Sequence, residues 1–338
     1  MKLKDLAREL GLSQTTVSRA LNGYPEVNDA TRQRVVDAAR RYGYRPNASA
    51  RRLATGRAGA IGAVLPTESS LVDPHYTQFL SGVGKRLAVD DIDIVLSPAG
   101  ENELDSYRRL AQGTRVDAVI LSNPRVADSR IDLLKDMGFP FLLHGRTETS
   151  TPHAWLDIDN HGAFRRATRH LLDLGHTRIA LLNGSSAFTF ARDREAGFRE
   201  ALAERDMTCD DALIAESDEM TDETGFRLTA RFLTMTPRPT ALLVSSMMQT
   251  LGTLRAIRSA GLQLGRDVSL ISHDDVFPFV NADLMVPSVS TTRSPIRSAG
   301  TRVAELVLEI LQGRDPSSIG ELWPVDLIVR DSTGPAPS

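Results

Sequence analysis

The stretch LARELGLSQTTVSRALNG, Leu6–Gly23, sets the frame from which the rest of the chain is read. Leu3, Leu6, Ala7 and Leu10 recur at helical spacing and make one apolar face, while Lys4, Asp5, Arg8 and Glu9 are polar. Gly11 tolerates the left-handed conformation that stops a helix. Ser13 is suited to cap a second helix running from about Gln14 to Leu21. Val17, Ala20 and Leu21 face back to the first helix, whereas Gln14, Thr15, Ser18, Arg19 and Asn22 point elsewhere. Two short helices joined by a tight glycine-containing turn form a helix-turn-helix. Its outward side chains are hydrogen-bonding groups of modest length with one arginine, a set that suits the base edges of a major groove. An ordinary helical hairpin with a solvated outer face has the same pattern.

The neighbouring sequence favours the first reading. The chain has 338 residues and a net charge of −3, but the charge is unevenly placed. Residues 1–57 hold 12 Lys/Arg and 5 Asp/Glu, and the remaining 281 hold 28 and 38. A basic head on an acidic body is expected where only the head meets a polyanion. Asn28 or Asp29 caps a third helix in DATRQRVVDAARRYGY, with Val35, Ala38, Ala39 and Tyr42 inward. Pro46 ends that segment, Asn47 offers another cap, and ASARRLAT has length for about two helical turns, too few to hold a helix without a packing partner.

These segments resemble the LacI family of bacterial transcriptional repressors. The resemblance rests on LKDLARELGLSQTTVSRALNG and VNDATRQRVVDAARRYGYRPNASARRLATG, then HLLDLGHTRIALLNG, RDREAGF and SLISHDDV, in the family's order along nearly the whole chain. It implies a homodimer, or a tetramer, on double-stranded operator DNA. It places Gln14, Thr15 and Arg19 at base-reading positions, and Thr16, Ser18 and Asn22 mainly on phosphates. It puts Asn47, Ala50, Arg51 and Ala54 on a hinge helix, with Leu53 as a wedge between base pairs. Such insertion costs a few kcal/mol, offset by contact with bent DNA. The alternatives are packing of Leu53 on the body and a phosphate contact for Arg19, which would give affinity without sequence choice.

From Ala60 onward, short apolar runs (AIGAVLP, IDIVLSP, VDAVILS, FPFLLHG, RIALLNG, TALLVSS, VSLISHDD) alternate with helical patterns. That alternation predicts two doubly wound parallel α/β sheets with a ligand between their strand C-terminal ends. The expected architecture is an all-α helix-turn-helix head at 1–45, a hinge at 46–58 and a two-lobed, periplasmic-binding-protein-like core at 59–338. The N-lobe is expected at about 59–160 and 291–323, and the C-lobe at about 161–290 and 324–338.

Polar residues just beyond the strand runs are candidate ligand contacts. By family position these are Asp73 and His75 on the N-lobe, Arg146 after FLLHG, Phe188 and Phe190, and Arg194 and Asp274. His75 could equally be an exposed loop residue, and Phe190 could belong to the core. His144 reads as a satisfied inner histidine, Asp275 as a turn residue and Trp155 as packing for an edge strand. Where many sugar-binding members carry an Asn-Asp pair, this chain has Ser246 and Met247, which implies a larger or less polar pocket at that point. DPHYTQFLSG, FPFLLHGRT and AWLDIDN are similar to the branch controlling α-glucoside use. The expected effector is therefore a small carbohydrate. A non-sugar or phosphorylated ligand, or a solute-binding protein of this fold, is the alternative.

No nucleophile elbow, phosphate loop or dinucleotide fingerprint is present, so no catalysis is expected. The single cysteine, Cys209, and the absence of clustered Cys/His spacing imply no disulfide, no cofactor and no metal motif. No apolar run approaches the roughly 18 residues needed to span a bilayer, and a cytoplasmic protein is expected.

Overall fold

The computed structural model describes residues 2–21, 24–44, 56–65, 74–113, 115–274, 277 and 279–337. The chain divides into two units, Met1–Gly59 and Ala60–Ser338.

In the first unit, α1 (Leu3–Leu10), α2 (Gln14–Leu21) and α3 (Asp29–Arg41) enclose a small core. Gly11 ends α1 at φ 65°, where its left-handed backbone avoids the penalty a Cβ would bring. The Ser13 hydroxyl accepts from the Thr16 amide at 3.0 Å, and the Asn28 side chain accepts from the Thr31 amide at 2.8 Å. Leu6, Val17 and Val35 are fully buried, each contributing about 1.5–3 kcal/mol of apolar burial. Arg32 ties the link between α2 and α3 by donating to the Tyr24 and Val27 carbonyls, both at 3.0 Å. Tyr42 departs from expectation. Because α3 ends at Arg41, Tyr42 becomes its cap and is 42% exposed, and Tyr44 packs against the core in its place.

The second unit contains two six-stranded sheets. The first lobe is built from β1 (Ala60–Leu65), α4 (Pro74–Leu87), β2 (Asp93–Pro98), α5 (Glu103–Gln112), β3 (Ala118–Ser122), α6 (Ser129–Asp136), β4 (Phe141–His144) and β5 (Trp155–Ile158). The chain then passes through α7 (Asn160–Asp173) into β6 (Ile179–Gly184), α8 (Thr189–Ala203), β7 (Ile214–Ser217), α9 (Asp222–Leu233), β8 (Ala241–Val244), α10 (Met247–Ser259), β9 (Ser269–His273) and β10 (Ser290–Arg293). It returns through α11 (Ile296–Leu311) to β11 (Gly320–Trp323) and crosses once more to β12 (Asp326–Ile328).

The first sheet runs β11-β5-β4-β3-β1-β2 and is parallel throughout. The second runs β12-β10-β9-β8-β6-β7 and is parallel except for β12 on β10. β10 still pairs in the second sheet, so the chain leaves it after Arg293 rather than at about 291. Central strands such as β1, β6 and β8 are buried along their whole length, which explains why they read as unbroken apolar runs.

Helices pack closely over these sheets. A Cβ on Gly82 of α4 would lie 1.9 Å from the Arg297 carbonyl oxygen, and one on Gly300 of α11 2.1 Å from that of Phe79. The two glycines therefore let the helices approach backbone to backbone. Trp155 lies beside the edge strand β11, its ring against Gly320, in the packing role expected of it.

Candidate functional site

The first candidate surface is the outer side of α2. Gln14, Thr15 and Arg19 are exposed, and Thr16 and Ser18 are half-buried, because the buried positions Val17 and Ala20 turn this side away from the three-helix core. Asn22, Asn47, Ala50, Arg51, Leu53 and Ala54 lie outside the described residues, as do Asp73 and Asp275.

The second is a cavity of about 780 Å³, counting its open mouth, between the two lobes. Its walls are strand ends and helix starts: Asn123 follows β3, His144 closes β4, Asp157 lies on β5, Ser245 follows β8, and His273 and Asp274 close β9. This is the place where parallel sheets present groups to a ligand, since side chains there lie beyond the last ladder bonds.

Arg194, on α8, is 6% exposed and held rigidly. Its Nε donates to Asn160 Oδ1 and its Nη1 to the Ser245 carbonyl, both at 2.8 Å. The guanidinium lies over Phe190 at 4.8 Å and Phe164 at 5.2 Å. Its partners are themselves fixed, Asn160 donating to the Ile158 carbonyl and the Ser245 hydroxyl to Asn183 Oδ1.

Asp274 is 2% exposed and sits at φ 64°, a conformation costly for a residue with a side chain and found where surrounding contacts hold it. One of its carboxylate oxygens accepts from the Ser294 hydroxyl and lies 2.9 Å from His75 Nε2. His75 starts α4 in the first lobe and Asp274 follows β9 in the second, so the pair spans the cleft. Thr189 bridges it too, its amide donating to the Pro124 carbonyl at 3.1 Å.

The cavity's inner histidines are held neutral. Burial pushes the His144 imidazole down to about 3, with His75 nearby adding to the effect. Burial likewise holds His273 well below the ordinary histidine value, helped by Arg194 and His75. His144 differs from the satisfied histidine expected. Its ring stacks on Phe79 at 4.3 Å, and that packing leaves Nε2 buried without a hydrogen-bond partner among the described residues.

His75, Phe190, Arg194, Ser246 and Asp274 therefore line one cavity, but Phe188 and Arg146 are not part of the wall. Phe188 caps α8, pairs with Arg125 and stacks on Phe190 at 5.9 Å. Arg146 turns to Asp157 at 2.8 Å and lies over Trp155 at 5.6 Å. Burial raises the Asp157 carboxyl, and Arg146 opposes the rise. The sequence reading missed several lining residues, among them Asp157, Asn160, Thr189, Met220, His273 and Phe277. Of these, Asn160 and Thr189 begin helices, a signal available from the pattern; Met220 and Phe277 lie in loops with none.

Known proteins agree with this geometry. Residues 2–47 match "Bacterial regulatory proteins, lacI family", and residues 168–333 match "Periplasmic binding protein-like domain". The chain is 48% identical to the HTH-type transcriptional regulator AglR of Rhizobium meliloti over 100% of its own length and 95% of that protein. Its fold is similar to a lac repressor dimer bound to operator and the anti-inducer ONPF, with TM-score 0.82, 26% identity and 99% of each chain covered. It is also similar to a transcriptional regulator CelR–cellobiose complex, with TM-score 0.73, 27% identity, 98% of this chain and 99% of the other. The match of the head removes the solute-binding alternative. The chain belongs to the lacI family of bacterial regulatory proteins and is a DNA-binding transcriptional regulator, not an enzyme.

Proposed function

We propose that this chain is a cytoplasmic, dimeric repressor of a sugar-utilisation operon that releases its operator when a small α-glucoside-type carbohydrate enters the cavity. The observation that carries the ligand class is the charge balance of the wall. Among its described residues the charged groups are Asp274, Arg194 and Asp157, the last already held by Arg146 from outside the wall, and the inner imidazoles His144 and His273 are neutral. Such a wall suits hydroxyl groups, which both donate to carboxylates and accept from a guanidinium. A phosphorylated ligand would instead bring a dianion beside two carboxylates, which weighs against that alternative. The Phe190 ring beside Arg194 adds an apolar face for the sugar's C–H side. The similar CelR–cellobiose complex and lac repressor–operator dimer support a saccharide ligand and a dimer on DNA.

On the DNA side, Gln14, Thr15 and Arg19 read bases, and Thr16, Ser18 and Asn22 hold phosphates. Two heads are needed because one α2 covers only one half-site. Asn47, Ala50, Arg51 and Ala54 form the hinge, with Leu53 wedging a base step in the minor groove. Effector binding closes the lobes and disorders the paired hinges, a coupling of typically ~1–3 kcal/mol.

A thermal-shift panel tests the ligand class. α-Linked disaccharides should raise the melting temperature of the full chain, because a ligand bound only to the folded form adds its binding free energy to stability. Sugar phosphates should not. A shift with phosphorylated sugars and none with free glycosides would overturn the assignment.

A further inference from the structure

We propose that His75, His273 and Asp274 form a binding site for a divalent transition-metal ion, which would clasp the two lobes across the cavity. The sequence hides this site because its ligands come from α4 and the far end of β9, with no motif spacing between them. The fold brings one ligand atom from each residue to within 4.8 Å of the others. A tetrahedral Zn²⁺ with bonds of about 2.0–2.2 Å sets its ligands roughly 3.3–3.5 Å apart. The His75–Asp274 pair, at 2.9 Å, is closer than that range, so its two ligand atoms must part by about 0.5 Å to admit the ion. His75 has a side chain 27% exposed, so a small rotation of its ring is open to it.

The supporting groups resemble those that orient metal ligands. His273 Nδ1 lies 2.7 Å from Thr292 Oγ1, which assigns that nitrogen to the protein and leaves Nε2 as the ring's other ligand atom. The Asp274 amide donates to the Thr292 carbonyl at 2.7 Å, and the Ser294 hydroxyl donates to the carboxylate. Thr292, on β10, and Ser294, just beyond it, thus brace both ligands of the second lobe. Two imidazoles with one carboxylate suit Zn²⁺ and its first-row neighbours better than Mg²⁺ or Ca²⁺, which prefer all-oxygen shells. Three protein ligands leave a fourth position toward the cavity for water or a ligand hydroxyl.

The site shares His75 and Asp274 with the carbohydrate cavity, so its test uses the metal alone. Full-length protein freed of metal by chelation is titrated with Co²⁺ and followed by visible absorption, with Zn²⁺ melting scans in parallel. The expected result is one Co²⁺ per chain, a band of tetrahedral intensity, and a melting temperature raised by Zn²⁺. His75→Ala should abolish the band while retaining a cooperative metal-free melting transition. His161→Ala should leave the band unchanged, because His161, on α7, pairs with Glu200 on α8 and is not among the three ligands. No band, or a band of equal strength in His75→Ala, would overturn the site whether or not sugars bind.

Discussion

The head and the cavity solve recognition in opposite ways. The head exposes Gln14, Thr15 and Arg19 on one eight-residue helix, α2, which packs on a core holding Leu6, Val17 and Val35. The cavity draws on β4, β5, α8 and β9, with Arg194 and Asp274 almost fully buried. A surface that must meet a long polyanion can be local and exposed, whereas a small ligand must be surrounded, which requires convergence of distant segments. In the cavity, Arg194 and Asp274 are already hydrogen-bonded to neighbouring groups.

That contrast is most strongly tested where a buried group supports an exposed function. Leu6→Ala should cost about 2–5 kcal/mol, enough to unfold so small a core, and should remove all DNA binding. The ligand-induced melting shift of the body should survive, and its loss in the same variant would show that the units do not fold separately. Next in size, Arg194→Ala leaves Asn160 and the Ser245 carbonyl without their donor, at about 1–3 kcal/mol, and should abolish the shift with sugar. Normal ligand response would remove Arg194 from the site. Arg19→Ala should leave the melting curve unchanged and cost about 1–3 kcal/mol on the preferred duplex. An equal loss on every sequence would reassign it to a phosphate.

Acid gives the smallest effect per step and separates the units chemically. All 7 histidines lie beyond residue 74, so the head has none. Native His144 and His273 resist protonation, whereas the unfolded chain takes up protons near pH 6.5. Stability of the body is therefore full above pH 6.5 and falls below it, by about 1.4 kcal/mol per pH unit for each such histidine. Melting scans from pH 7 to 5 should show the body weakening ahead of the head. A body transition that stays level or rises would contradict the burial of these imidazoles.

The same contrast explains what could be read from the chain alone. Helix periodicity, Gly11, Ser13 and Asn28 act within a few residues, so the head was legible almost to its caps, and Tyr42 escaped only because α3 stops one residue short. The strand runs announced both sheets, and with them the region of the cavity. Which side chains turn inward was less legible. Arg146 and Phe188 stand near the cleft in sequence, yet a local carboxylate, Asp157, and a neighbouring ring, Phe190, take them up. His144 was misjudged for the converse reason, since nothing in FLLHG reveals that Phe79 will cover its ring.

The most direct measurement is the affinity of the full chain for a duplex selected from a random pool, taken with and without a saturating α-glucoside that raises its melting temperature. Coupling between cavity and head predicts DNA affinity about 5–150-fold weaker with the sugar present, and sugar affinity weakened by the same factor when the duplex is bound. Equal affinities in both titrations would contradict control of the head by the cavity.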